Sequence, residues 1–346
     1  MATGDLLDRA LDATPATRWA GLQGARLLIT GATGFFGQWV QLALQRLRQR
    51  GIALTAQCVS RRRQSTSDPG LTWLRGGAQD FAQLPIHPGT THVLHMAASS
   101  DSRDYAHNPL KAAQVILDGT FGALALAQRS GAHLHLVSSG AVYGARRLSM
   151  GPTQEAHIAT GAPHPLERMS AYGNAKRMAE ALVACASADY CISRPFAFLG
   201  PGLPLDQHFA AGNFVRDAAT GQSIIVQGDG TPVRSYMHPA DLAAWLLALL
   251  ASPLRGQAIN IGSSQPVSIA ALAAEIAAQA GGPVPRIMGG PADGADPSAY
   301  WPDTTLAQSH GLSLVIDRHS AIADMLQWAR SAASTHHPLS PLPATS

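Results

Sequence analysis

The chain has 346 residues, of which 46% are apolar and only 14% charged, with a formal net charge of +3. So apolar a composition excludes disorder of the chain as a whole, and 33 glycines with 23 prolines exclude collagen-like or proline-rich architecture. The positive charge is diffuse apart from one arginine run, which argues against a nucleic-acid partner. Three cysteines without a CxxC pair argue against a disulfide framework and a structural zinc site.

Residues 1–24 read as a short amphipathic helix followed by a linker, with no apolar core of signal-peptide length. From Ala25 the pattern changes. ARLLIT (25–30) is an apolar strand, GATGFFG (31–37) a glycine turn, and QWVQLALQRLRQR (38–50) a helical repeat with Val40, Leu44 and Leu47 on one face. Further strands follow at IALTAQCVS (52–60), LTWLR (71–75), THVLHMAA (91–98), HLHLVSS (133–139) and YCISRPF (190–196), with helices over 109–130 and 172–187. Strands alternating with helices predict an α/β fold with a parallel sheet covered on both faces. Beyond Pro195 the segment 200–235 is rich in Gly, Pro and polar residues. Helices over 240–251, 268–280 and 318–331 and a strand at QAINIG (257–262) follow, 281–303 reads as irregular, and the tail as disordered. The most apolar run, Leu242 to Ala251, is too short to span a bilayer and reads as a buried helix. The expectation is a soluble, cytoplasmic protein with no membrane partner.

Three places carry chemistry. Gly31, Gly34 and Gly37 stand between a strand and a helix, where backbone N–H groups and the helix N-terminus suit a pyrophosphate; a tight turn that binds nothing is the competing reading. At the end of the second strand, Ser60 is followed by Arg61, Arg62 and Arg63. No carboxylate is available for the ribose hydroxyls of NAD, and guanidinium groups suit a 2′-phosphate, so NADP is favoured over NAD, against the plainer reading of a solvated basic loop. Tyr172 and Lys176 lie one helical turn apart, and the only other lysine is Lys111. A nearby ammonium lowers a phenol's pKa, so Lys176 is expected to make Tyr172 an acid/base for a substrate hydroxyl. Ser139, just after the fifth strand, offers a hydroxyl at the crevice where strand ends open. His133 and His135 alternate on one strand face, and packing is a better reading for them, for His95 and for His208 than metal binding. Cys185 and Cys191 are expected to be buried and inert.

The ordered set TGATGFFG, LHMAA, SSGAVYG, YGNAK, RPFAFLGPG and RSYMHPADLA resembles the extended short-chain dehydrogenases/reductases, and within them the NAD-dependent epimerase/dehydratase group that modifies nucleotide-activated sugars. The resemblance covers roughly residues 25–330. It implies a Rossmann-type doubly wound sheet with a smaller, mixed C-terminal substrate domain. The dinucleotide domain would take 25–195 and about 236–262, the substrate domain 196–235 and 263–330, with 1–24 an extension and 331–346 a tail. It further implies Tyr172 as general acid/base, Lys176 on the ribose, Ser139 completing the triad, Phe35 and Phe36 giving N–H groups to the pyrophosphate, and Ala97 lining the cofactor site. Arg234 would fork onto the substrate diphosphate, and Asn213 would touch the substrate. A homodimer is expected, the helix over 109–130 and the Tyr172 helix packing against their symmetry mates in a four-helix interface. Dehydratases of the group carry an acidic pair after the triad hydroxyl; here Gly140 and Ala141 stand there, which disfavours 4,6-dehydration. Two asparagines common in the group are replaced by Ile116 and Ala197. The expected activity is NAD(P)-dependent hydride transfer, at C4, on a nucleotide-diphosphate sugar, as epimerase or 4-ketoreductase. A non-catalytic NADP(H)-binding regulator and a reductase of small ketones are the alternatives.

Overall fold

The computed structural model describes residues 3–98, 102–187, 189–207, 209–252, 254–290 and 294–334. His208 and residues 335–346 of the tail lie outside these. The strands in chain order are β1 (Ala25–Thr30), β2 (Leu54–Ser60), β3 (Leu71–Arg75), β4 (His92–His95), β5 (His133–Val137), β6 (Tyr190–Pro195), β7 (Ile225–Val226), β8 (Val233–Ser235), β9 (Gln257–Ile261), β10 (Pro266–Ser268), β11 (Arg286–Ile287) and β12 (Ala299–Tyr300). The helices are α1 (Thr3–Asp12), α2 (Ala16–Trp19), α3 (Phe35–Gln49), α4 (Ser102–His107), α5 (Pro109–Ser130), α6 (Ala171–Ala186), α7 (Ala210–Ala219), α8 (Pro239–Leu250), α9 (Ile269–Ala280), α10 (Thr305–Ser309) and α11 (Arg318–Ser334).

Seven strands form one sheet in the order β3-β2-β1-β4-β5-β6-β9, every pair parallel. Its strands are near-continuous apolar runs because helices cover both faces. Leu27 and Ile29 of β1 face the core shared with α3 and α8, whereas Leu28 faces the core shared with α5 and α6. The order reverses between β1 and β4, which opens a crevice at the carboxyl ends of those strands. Smaller pieces stand beyond this sheet. β8 pairs antiparallel with β10 and parallel with β12, and β7 pairs parallel with β11. The architecture is the α/β, Rossmann-type doubly wound sheet with a small mixed part.

Local chemistry sets the limits of α5. The Asn108 side chain accepts from Lys111 N at 3.1 Å, Pro109 takes the first position, and Gly131 ends the helix at φ +65°. At 22 residues α5 is long and apolar enough to cross a membrane, yet half of its apolar window is buried against the sheet and α6, the setting of a core helix. All twelve residues of α8 are buried, because it lies with α3 on one side and α1 on another.

Several expectations are corrected. Residues 13–24 are not a linker: α2 and the 3-10 turn after it bury Trp19 and Leu22 in the main core. The stretch 200–235 contains α7, whose Phe214 and Val215 fill the interior, and 281–303 contributes β11 and β12. Residues 331–334 continue α11. Cys185 is exposed on the outer side of α6, while Cys58 and Cys191 are buried.

Candidate active site

The glycine turn is built by close approach. Gly31 has φ +73°, and a Cβ there would stand 2.8 Å from Ala97 N and from Met96 C. At Gly37 a Cβ would meet Ala32 O at 2.3 Å and Gly31 O at 2.4 Å. Gly34, by contrast, meets only Gly31 O, at 3.3 Å, and is the N-cap of α3. No side chain caps that end, so the first-turn N–H groups, those of Phe35 and Phe36 among them, remain donors for an anion. The two phenyl rings pack edge-on against Phe198, at 6.5 and 4.9 Å, and tie the turn to the loop after β6. Next to it, Ala97 N donates to Thr30 Oγ1 at 3.3 Å, and the same hydroxyl lies 2.7 Å from His95 Nδ1. Burial, with Lys176 adding to it, pushes His95 down to about 3, so this imidazole is neutral.

At the end of β2, Ser60 is buried and its hydroxyl accepts from Arg62 N at 3.2 Å. An open cleft between this loop and the glycine turn is lined by Thr33, Ser60, Arg61, Arg62 and Gln64. The three arginines are exposed, and no ion pair joins their side chains to any of the described residues.

Beyond β5, Ser139 is nearly buried and caps a 3-10 turn (Gly140–Tyr143) by accepting from Ala141 N at 3.1 Å. Tyr172 sits at the start of α6, its ring edge-on to Tyr105 of α4 at 5.3 Å. Burial raises the Tyr172 pKa above its ordinary value, and a hydrogen bond with Ser139 offsets part of that. The Lys176 ammonium is buried and donates to Val137 O at 2.9 Å. The i, i+4 spacing placed both on one side of the helix, but the carboxyl-terminal carbonyl of β5 holds the amine. Burial brings Lys176 down to about 8, against the attraction of Glu180.

The helix carrying both residues is anchored by ions and hydrogen bonds the sequence did not disclose. Arg194 of β6 donates to Glu180 through Nε at 3.0 Å and Nη2 at 2.7 Å, and through Nη1 to Tyr143 Oη at 2.8 Å. Tyr143 donates to Asn260 Oδ1 at 2.7 Å. This network ties α6, β6, β9 and the 3-10 turn at Ser139 into one frame.

Arg234 lies on β8, half-buried. Its Nη1 donates to Val233 O at 2.8 Å and more weakly to Ser298 O at 3.3 Å. Burial lowers its pKa, and no carboxylate among the described residues neutralises it. Asn213 does not present a free amide: Nδ2 donates to Gln207 O at 2.9 Å, and Oδ1 accepts from Arg216 at 3.2 Å. Ile116 is buried in the core, and Ala197 O accepts from Met237 N at 3.0 Å. His133 and His135 are packing and hydrogen-bonding groups. His133 Nδ1 lies 2.6 Å from Asp189, His135 Nε2 lies 3.1 Å from Ser193, and no metal-binding cluster occurs among the described residues.

Comparison with known proteins fits this geometry. The model of the NAD dependent epimerase/dehydratase family matches residues 27–262. The chain is 27% identical to UDP-glucuronic acid decarboxylase 2 of Arabidopsis thaliana over 338 residues, covering 90% of this chain and 73% of that protein. To UDP-glucuronic acid decarboxylase 1 of Xenopus tropicalis it is 26% identical over 254 residues, 70% of this chain and 58% of that one. Among solved structures, the fold matches UDP-glucose 4-epimerase of Thermotoga maritima with a TM-score of 0.73 at 20% identity, covering 89% and 99% of the two chains. It also matches the dTDP-glucose 4,6-dehydratase DesIV of Streptomyces venezuelae, solved with NAD, with a TM-score of 0.76 at 20% identity, covering 91% and 100%.

Proposed function

The chain belongs to the NAD dependent epimerase/dehydratase family, and from that premise we propose that it moves a hydride at a carbon, C4 in particular, of a nucleotide-diphosphate sugar, as an epimerase or a 4-ketoreductase. The observation that carries this is the packing of the start of α6, which holds Tyr172, on the turn that Ser139 caps beyond β5, beside a glycine turn that two added Cβ atoms would fill.

A dinucleotide fits the residues present. Gly31 and Gly37 admit backbone where any other residue would collide, and the uncapped first turn of α3 offers N–H donors to a pyrophosphate. When bound, the nicotinamide supplies or accepts the hydride. Tyr172 gives a proton to the sugar oxygen or takes one from it, and Ser139 steadies the phenolate and the oxygen. Lys176, with one N–H spent on Val137 O, keeps two for ribose hydroxyls. Arg234, half-buried without a carboxylate, suits the substrate diphosphate, which a fork of N–H donors binds well. The cleft beside Ser60 and Arg61 favours NADP over NAD.

Gly140 and Ala141 put no acidic side chain beside Ser139, so 4,6-dehydration is the least expected outcome. The names of the relatives are the reason to try UDP-glucuronic acid first. A 4-ketone β to the C6 carboxylate loses CO2 readily, so CO2 release is the second outcome to look for. The chain is proposed to work as a homodimer through the outer sides of α5 and α6, where Leu110, Val115, Phe121 and Met178 are exposed.

The test is loss of NADPH absorbance, with product analysis, over a panel of UDP-, dTDP-, GDP- and CDP-linked 4-keto sugars, together with UDP-glucose and UDP-glucuronic acid. Epimerised or 4-reduced product from any member supports the reading, whereas CO2 release from UDP-glucuronic acid supports the second outcome instead. Bound cofactor with no turnover across the panel overturns it.

A further inference from the structure

A third segment is threaded between the two that carry Ser139 and Tyr172. Residues 157–164 leave the 3-10 turn Glu155–Ala159, pass the turn that Ser139 caps and reach the first turn of α6. Three glycines, one from each segment, leave room for the passage. A Cβ on Gly173 of α6 would stand 2.6 Å from Ala141 O and 2.7 Å from Pro163 Cγ. One on Gly161 would stand 2.5 Å from Tyr143 O, and one on Gly144, at φ +73°, would run into Ala162 O. Gly173 directly follows Tyr172, and Ala141 and Val142 closely follow Ser139. The threaded segment therefore acts as a spacer between the two hydroxyl-bearing residues.

Backbone packed this closely brings carbonyls together, and carbonyls taken from water need donors. Arg177, one residue beyond Lys176, supplies them. Its Nη1 donates to Gly161 O at 2.6 Å and to Val142 O at 3.1 Å, and its Nη2 donates to Ile158 O at 3.1 Å. One guanidinium on α6 thus holds both the Ser139 turn and the threaded segment, a task for a planar fork rather than a point charge. Asn174 secures the segment's far end, its Nδ2 donating to His164 O at 3.1 Å. We propose that Arg177 is a positioning residue for the proton-transfer step: by clamping 158–161 to the turn at Val142, it sets the separation of Ser139 from Tyr172. The catalytic consequence rests on the function proposed above; the clamp does not.

The clamp is tested on the full-length protein by amide exchange and by 13Cζ-tyrosine labelling, with the Tyr172 resonance, one of six, assigned by Tyr172→Phe. Arg177→Met keeps the length of the side chain and removes its donors. It is expected to speed exchange of the bonded amides of Val142, Gly144, Thr160 and Gly161 by about tenfold or more, the scale of one hydrogen bond. It should also shift the Tyr172 resonance and leave exchange over 31–37 unchanged. Arg177→Lys, which keeps the charge without the fork, should fall between Arg177→Met and the native protein. Faster exchange with an unmoved Tyr172 resonance means that the clamp holds the segment alone, and overturns the proposal. Unchanged exchange, an equal gain over 31–37, or Arg177→Lys matching the native protein overturns it as well. Should Arg177→Met fail to fold, Gly161→Ala, which presses the segment off Tyr143 O, takes its place with the same two readouts. On an active substrate, Arg177→Met should lower kcat about ten- to a hundredfold, the scale of a misplacement of about 1 Å, with KM within about twofold; a higher KM at unchanged kcat contradicts a positioning role. If no substrate of the panel turns over, exchange and resonance still decide the clamp, so its failure and that of the functional reading stay distinct.

Discussion

Strands β4 and β5 run side by side, and their two ends use polar residues in opposite ways. At the carboxyl end stand Ser139, Tyr172 and Lys176, hydroxyls and an amine at the edge of a crevice. At the amino end stand His92 and His133, rings 6.0 Å apart, with His135 one step further in. There Asp189 pairs with His133 and with Arg255. Burial holds these imidazoles neutral, at about 4 for His92 and about 3 for His135. Titratable groups packed without a crevice cost stability when they charge; beside one, they are free to exchange a proton with a ligand.

The sharpest way to break this contrast is Tyr172→Phe. It should lower kcat by about a thousandfold, within the range of general acid-base catalysis, while leaving the melting temperature almost unchanged. His135→Gln should do the reverse, with kcat altered less than about twofold. A comparable loss of turnover from His135→Gln would erase the distinction between the ends.

Acid should act through the amino end next. Each imidazole is depressed below its unfolded value of about 6.5, so the unfolded chain binds more protons below that pH. Stability is therefore fully present above pH 6.5 and falls as pH drops toward 3–4. A single group held near 3, such as His135, costs about 2 kcal/mol at pH 5. Asp241, raised to about 7 by burial, opposes this slope as one group against several. Calorimetry should show melting temperature falling steadily from pH 6.5 to 4, less steeply in His135→Gln. A flat profile would contradict the neutral, buried assignment.

Two smaller effects sharpen the picture. Arg61→Ala should weaken NADPH binding about tenfold and leave NADH binding nearly unchanged, as fluorescence titration would show. Equal losses for both would place Arg61 away from the 2′-phosphate. The native protein should react with one equivalent of a thiol reagent, at Cys185, since burial pushes Cys58 and Cys191 up to about 12. A second fast equivalent would mean the core opens more readily than its packing implies.

Much of this was written in local pattern. The strands, the glycine turn and the limits of α5 follow from apolar runs, close approaches and a cap within a few residues of each other. Tyr172 and Ser139 were legible as candidates because their motifs are contiguous. Tyr300 was not, since what brings it beside Gly140 is pairing of β12 with β8 and of 298–302 with 147–153, contacts between segments far apart in sequence. α7 was missed because it is short and lies in a glycine- and proline-rich stretch. Lys176 shows the limit of spacing, which places two side chains on one face but does not say which carbonyl will claim the amine.

The first helix holds a final consequence. Thr3 donates to Asp324 of the last helix at 2.7 Å, and that carboxylate lies 3.1 Å from His238, whose other ring nitrogen accepts from Ala240 N at the start of α8. Leu6, Leu7 and Leu11 meanwhile cover α8. Cutting the molecule at residue 24, just ahead of the family match, would strip a roof of three leucines, each contributing about 1.5–3 kcal/mol, from a helix whose twelve residues are all buried. The excised remainder would expose a sticky strip to water, and clumping, rather than a smaller working enzyme, is the expected fate of such a fragment.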